Sequence, residues 1–398
     1  MSSESISPNF LSGRKAGAVT FGLIFSLESL VRSLNSTVIT LQAYDLLGSS
    51  QKISELSTLV SITALLTTLM LPYFLGSLRR RWAYSLGILG MVVASLLLAS
   101  FTVTGQIAGM YFRNCAAAIM NVTLSLYILD HIKRSDLARS EPVRLSLSTF
   151  SWVIGPASGV WLYTAYGSWG PQLASILAAV VLFVVFWILR LSDRVTMPSG
   201  TLQPFNPLAN VMRFVRQPRL RLAWMIAFGR SCFWATFFVY GPLLVVEGGI
   251  SKQVGGLMIS ASQVLLLFAY ASGSLARRFG VRFVISACFM MMTAASVAAG
   301  LAGKEMPYLA MAFLLLGSLS ASGLDGVGGI PFLRAVRSHE RQRMAAVYRT
   351  FIDFSELIPA MVFAVALSFF DIGIVFIILG ASLAVMGIIS YLYLPKSL

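Results

Sequence analysis

The segment VYRTFIDFSEL, Val347 to Leu357, sets Arg349, Asp353 and Glu356 at the head of an apolar run. The run continues IPAMVFAVALSFF without another charge. At about 100° per residue, the three side chains fall within roughly 60° of arc on one continuous helix. Each ionised group near the centre of a bilayer costs about 2.5–3.5 kcal/mol. Such a stripe is therefore expected to face a water-filled cavity or another charged helix. Two kinds of chemistry then compete. Either the charges pair and hold helices together, or an acid takes up and releases a proton as its surroundings change. Desolvation favours a protonated carboxyl, and a nearby arginine favours an ionised one. A rearrangement that exchanges those environments moves a proton. Glu356 is the better carrier, because it lies deeper and Arg349 can neutralise Asp353. Pro359 also leaves the carbonyl of Ser355 without its helical donor, so the backbone there is polar and deformable.

Other apolar runs carry similar residues. Glu28 and Arg32 are four positions apart, with Asn35 about one turn beyond. Arg113 and Asn121 share a later run, Arg230 stands in another, and Asp325 lies in SGLDGVGG. Arg113 and Arg230 have no acid one turn away on their own segments. They are suited to clamping a carboxylate or phosphate, or to pairing across helices with Glu28 and Asp325. The deep acids (Glu28, Asp325, Asp353, Glu356) and the deep arginines (Arg32, Arg113, Arg230, Arg349) balance, so no charge sign is set for a ligand. Trp234, Phe237 and Tyr240 are placed to line an organic pocket or to face lipid. His131 and Asp136 fit an acyltransferase H-x4-D pattern, but in a short basic loop they are not read as catalytic. No His or Cys pattern has metal-ligand spacing, and no phosphate-binding loop is present. No enzyme activity, cofactor or metal is expected, and an ion gradient is the expected energy source.

The elements that position these residues follow from composition. The chain has 398 residues, 57% hydrophobic and 11% charged, against about 25% charged for a soluble protein. About twelve apolar runs are each long enough to cross a bilayer, near 17–43, 56–78, 83–103, 106–131, 145–166, 171–191, 222–246, 253–276, 282–302, 307–333, 346–370 and 373–394. In lipid such runs are helices, because a helix satisfies its own backbone. The first run has no clear small-residue cleavage site beside it and is read as a retained helix. The net charge of +15 could suggest nucleic acid, but its placement excludes that reading. With the N-terminus in the cytoplasm, 23 Lys and Arg fall on the cytoplasmic side and only Lys52, Lys252 and Lys304 on the other. This asymmetry predicts that both termini are cytoplasmic and that anionic lipids are partners. Cys115, Cys232 and Cys288 all fall within spans, so no disulfide framework is expected.

The halves repeat. GSLRRRW at Gly76–Trp82 answers GSLARRF at Gly273–Phe279, with five of seven positions identical. STFSWVIGP ends at Pro156 and RTFIDFSELIP at Pro359, and His131 and His339 follow the fourth and tenth spans. Internal duplication of this kind marks transporters. The expected division is a six-helix bundle over 1–191, a linker over 192–221 and a second bundle over 222–398. In the linker, Leu208, Val211, Met212 and Val215 are spaced for one face of an amphipathic helix on the membrane surface, with a solvated connector as the alternative.

Twelve spans, the 6+6 duplication and GSLARRFGVR together resemble the major facilitator superfamily over essentially the whole chain. Gly273, Leu275, Ala276, Arg278, Gly280 and Arg282 match the family's loop motif, as do Gly76, Leu78 and Arg81. Arg80 and Arg277 replace its acid, which normally helps to lock the cytoplasmic gate. VIGPASGV resembles the motif of proton-antiport efflux members at Gly155, Pro156 and Gly159, while Ser151 and Val160 replace glycines. The resemblance implies a fold of two pseudo-symmetric six-helix bundles whose first, fourth, seventh and tenth helices line a cavity. Proton coupling is then expected from Glu356, Asp353, Glu28 and Asp325. Solute contacts are expected from Arg113, Arg230, Arg32, Asn35, Asn121 and Arg349. Gating is expected from Gly76, Gly273, Arg277, Arg278, Gly155, Pro156 and Pro359. The expectation is a monomeric, proton-coupled exporter of a small organic solute in the bacterial cytoplasmic membrane. An uptake symporter or uniporter, a lipid flippase and a non-transporting membrane sensor are the alternatives.

Overall fold

The computed structural model describes residues 18–75, 78–131, 134–189, 207–336 and 341–395. The first half contains α1 (Ala18–Ser33), α2 (Val38–Leu47), α3 (Ser50–Leu75), α4 (Arg80–Ala99), α5 (Val103–His131), α6 (Arg134–Tyr166) and α7 (Trp169–Ile188). A short helix, α8 (Pro207–Val215), leads to the second half. That half holds α9 (Pro218–Glu247), α10 (Lys252–Leu265), a 3-10 turn at Leu266–Phe268, α11 (Ala269–Phe279), α12 (Val281–Ala302), α13 (Pro307–Val327), α14 (Ile330–Ala335), α15 (Arg341–Arg349), α16 (Phe351–Ala366) and α17 (Gly373–Tyr393).

The helices follow from the sequence in a direct way. Long stretches of Leu, Ile, Val, Ala and Phe bury one side in the bundle and turn the other outward. On α7, Ala179, Leu182 and Phe186 are buried while Leu177, Val181, Val184 and Ile188 are exposed. An apolar outer surface of this kind is stable only in lipid. Among the described residues, six helices are long and apolar enough to cross a membrane, and α10 with α11 makes a seventh if the 46° bend is one span. Twelve spans are thus not established by length and hydropathy. The first expected span is divided by a turn at Leu34–Thr37, and the eleventh is divided at Thr350 into α15 and α16.

The same neighbours recur in both halves. α4 packs on α5 and α7, as α12 packs on α13 and α17; α1 meets α7 as α9 meets α17. Between the halves, α6 packs on α10 and α3 on α16. The loops near Gly48, Gly167, Gly249 and Gly303 share one face, tied by Lys252–Asp45 at 2.6 Å and by Gln253 donating to Thr164 at 3.0 Å. Arg80, Arg219, Arg278 and Arg282 lie at the other ends of their helices, on a basic face. Between α11 and α12, Gly280 has φ 86°, a conformation that side chains other than glycine's disfavour. The loop motif therefore needs its glycine there.

On α8, Phe214 is buried against Leu220, Phe332 and Met344, whereas Val211, Met212 and Val215 are exposed. The amphipathic helix exists, and these three members of its expected apolar face point away from the protein.

Candidate functional site

The site begins at the break in the first helix. Ser36 N bonds the carbonyl of Ser33, not that of Arg32, which frees the Arg32 carbonyl. In lipid a freed carbonyl must find a donor within the protein. Arg113 on α5 supplies it, donating from Nη2 at 3.0 Å. Other side chains fasten the same stretch. Ser175 donates to the Val31 carbonyl at 3.1 Å, Gln106 to that of Ile39 at 2.9 Å, and Gln172 to Asn35 Oδ1 at 2.9 Å. Asn35 is therefore buried in a structural bond within the break, and not one turn further along the face of Glu28 and Arg32. α6 closes on this region through its glycines. A Cβ at Gly159 would sit 1.8 Å from the Leu34 carbonyl oxygen, and one at Gly155 2.0 Å from Ser33 Oγ. Ser33 Oγ also donates to the Ser151 carbonyl at 2.9 Å.

Beside the break lies a cavity of about 360 Å³ between the two halves. Arg32, Arg113, Asn114 and Trp152 line it from the first half, and Trp234, Phe238, Tyr240, Glu356 and Pro359 from the second. Glu356 is exposed to the cavity, and among the described residues it makes no hydrogen bond or ion pair. It nonetheless stands within electrostatic reach of Arg113, Arg32 and Asp353. Arg32 lies 3.9 Å from Glu28, which is fully buried and also accepts from Tyr84 Oη at 3.2 Å.

The remaining predicted residues are placed elsewhere. Arg230 and Asp325 form an ion pair at 2.8 Å, and Trp234 Nε1 donates to the same carboxylate at 3.0 Å. Neither charged group lines the cavity. Arg349 ends α15 and is exposed, separated by Thr350 from the helix of Asp353 and Glu356. No ion pair joins Arg349 to Asp353. The reason is local: Asp353 lies in the first turn of α16, where the helix dipole favours an acid. The single charged stripe expected from a continuous helix is thus divided. Asn121 is half-buried on α5, where its carbonyl accepts from Ser125. Arg277 and Arg278 are exposed in the last turn of α11, and Gly273 has open space around it. The carbonyl of Pro156 meets Gly256 of α10, so the Gly155–Pro156 region touches the other half. Gly76 and His339 lie outside the described residues.

Trp152 and Asn114 escaped sequence reasoning, because an aromatic or amide on an apolar helix has no signal of direction. Phe237, grouped with Trp234 in the sequence, is fully buried against Phe233. The bonds between the halves also went unread. Asp45 accepts from Lys252, Ser50 donates to Glu247, and Ser54 bonds Tyr240 Oη at 2.6 Å, while Tyr163 Oη of the first half donates to the same Asp45. The hint was that Lys252 is one of only three lysines expected on its face.

Two helical bundles with apolar outer surfaces and a charged cavity between them define a multi-pass membrane protein. The chain belongs to the Major Facilitator Superfamily, whose model matches residues 21–270. No curated protein matches it in sequence. Among solved structures it is similar to a POT family transporter in complex with 5-aminolevulinic acid, at TM-score 0.73 and 12% identity, over 95% of this chain and 96% of that one. It is also similar to a POT family transporter in complex with a thioalcohol-conjugated peptide, at TM-score 0.71 and 12% identity, over 93% and 94%. The nucleoside transporter NupG is similar at TM-score 0.69 and 13% identity, over 94% and 98%. At such identities the likeness shows a shared fold.

Proposed function

We propose that this chain is a secondary active transporter that exports a small organic solute in exchange for protons. The single observation that carries the coupling is Glu356. Its carboxyl opens into a cavity shared by both halves, without an ion pair among the described residues, opposite two arginines. A carboxylate so placed can change its proton when the halves rock and its surroundings change. Glu28 is the alternative carrier, but it is fully buried beside Tyr84 and Arg32. Asp325 is held by Arg230 and Trp234, which suits a fixed strut. Export is supported by Gly155, Pro156 and Gly159, which resemble the antiport motif and pack against both the broken first helix and α10. The clasp at Asp45, Lys252 and Glu247 joins the halves on the face opposite the basic loops. If those loops are cytoplasmic, as their arginines favour, the cavity in this state loads from inside a bacterial cell.

The test uses purified protein in liposomes carrying an imposed pH gradient, with solute and proton fluxes followed together. Wild type is expected to move both. Glu356→Gln mimics the protonated acid and should abolish gradient-driven flux while solute–solute exchange survives. Proton movement in fixed ratio to solute in Glu356→Gln would remove Glu356 from the role.

A further inference from the structure

The cavity sets opposite charges on opposite walls and leaves them unjoined. On the first half and among the described residues, Arg113 spends one bond on the Arg32 carbonyl and has no acid within ion-pair distance, and Arg32 beside it has the 3.9 Å contact with Glu28 as its one ion pair. On the second half, Glu356 faces these arginines, and among the described residues no ion pair closes the gap. Such groups gain far more from a ligand charge than from water, because the surrounding walls lower the local dielectric. Trp152, Trp234, Phe238 and Tyr240 line the same cavity. Trp152 and Phe238, from different halves, meet edge to face with centroids 5.8 Å apart. The volume lies at the small end of the about 300–1,000 Å³ typical of ligand sites.

Resting on the transporter reading above, we infer that the substrate class is a small zwitterion with an apolar or aromatic body. Its anionic group is bound by Arg113 and Arg32, its protonated amine by Glu356, and its body lies among the aromatics. The alignment also fixes orientation: the anion points to the first half and the amine to the second. A solute with one charge satisfies one wall and leaves the other pole unpaired, which costs affinity. The amine and the transported proton then share one carboxylate, so each excludes the other.

The test is equilibrium binding to the purified full chain in detergent, read by thermal shift and tryptophan fluorescence. The probes are phenylalanine and phenylalanyl-phenylalanine, each with its N-acetylated form, its C-terminal amide and the doubly blocked form. At least one zwitterion is expected to bind at least tenfold tighter than its own blocked forms. In Arg113→Gln the advantage over the amide should vanish, and in Glu356→Gln the advantage over the N-acetylated form. Circular dichroism and size-exclusion profiles verify that both variants fold. If Arg113→Gln misfolds, Arg113→Lys takes its place and is expected to retain a reduced preference for the zwitterion. Blocked forms that bind as well as the zwitterions, a preference that survives both substitutions, or no binding by either zwitterion would overturn the inference. Flux in liposomes separates the two readings. A zwitterion that binds but is never moved sinks the transporter reading alone, and a transported solute with one charge or none sinks the substrate class alone.

Discussion

Arg230 and Asp325 show how ionisable residues in a membrane protein divide their work. The pair is made across two helices at 2.8 Å, with Trp234 as a second donor. Removing one member leaves the other charge unpaired in a poor dielectric, which costs about 3–5 kcal/mol when burial is complete. Both side chains retain about a quarter of their exposure, so the expected loss for Arg230→Gln is smaller, roughly 2 kcal/mol. Adding Asp325→Asn should recover most of it. Thermal unfolding of the two single variants and the double variant in detergent decides the matter. Additive losses would mean that the pair does not couple. Glu356 is expected to behave in the opposite way: its replacement by Gln leaves unfolding unchanged and alters only solute binding and transport, because among the described residues no hydrogen bond or ion pair depends on it.

At the scale of elements, the broken first helix is the feature on which the site depends. Its freed carbonyl holds Arg113, and its turn is fastened by Ser175, Gln106 and Gln172. α6 reaches it only because Gly155 and Gly159 lack side chains. In lipid, helices associate by close backbone packing and not by the hydrophobic effect, so a methyl group at this seam is felt directly. Gly159→Ala puts a Cβ against a backbone carbonyl that has little room to move. It should destabilise the protein by about 1–3 kcal/mol and lower solute affinity by shifting Arg32 and Arg113. Gly273→Ala is the control, since open space surrounds that position. Equal melting temperatures for the two variants would refute the packing argument.

Across the whole molecule, the proposed transport requires that the clasp joining the halves be weak enough to open. Its ion pair, Lys252 with Asp45, is about three-quarters buried on each side and has Tyr163 as a third member. Pairs with partial exposure contribute up to about 1 kcal/mol. Lys252→Ala should therefore shift the open-to-closed ratio of this face by at most about fivefold, without unfolding either bundle. Spin labels at Tyr166 and Glu305, one on each half of the clasped face, in a background lacking Cys115, Cys232 and Cys288, would report the shift. A distance distribution identical to that of the wild type would show that the clasp does not set the balance. The weak pair suits a device that must reverse, whereas the serine and glycine seam within one half suits a body that moves as a unit.

Composition and hydropathy alone determined that this is an all-helical membrane protein, and the Major Facilitator family was legible only as a resemblance carried by the duplicated loop motif GSLARRFGVR. A backbone in lipid can satisfy itself in few ways, and the glycine that the loop motif needs is Gly280, where φ is 86°. Local rules also picked out Glu28, Arg32, Arg113 and Glu356 as costly residues in oil. They could not say which of them meet. Arg230 found its acid on a helix about ninety residues away in sequence, Asp353 was compensated by a helix end that appears only because the chain breaks at Thr350, and Arg113 was recruited by a carbonyl freed at Leu34–Thr37. Apolar runs look continuous across such breaks, because hydropathy carries no record of backbone turns. The direction in which Trp152 and Glu356 point, and the gap between Glu356 and the arginines, depend on how the two halves pack against each other. That packing runs across the α3–α16 and α6–α10 contacts, which no residue specifies by its type.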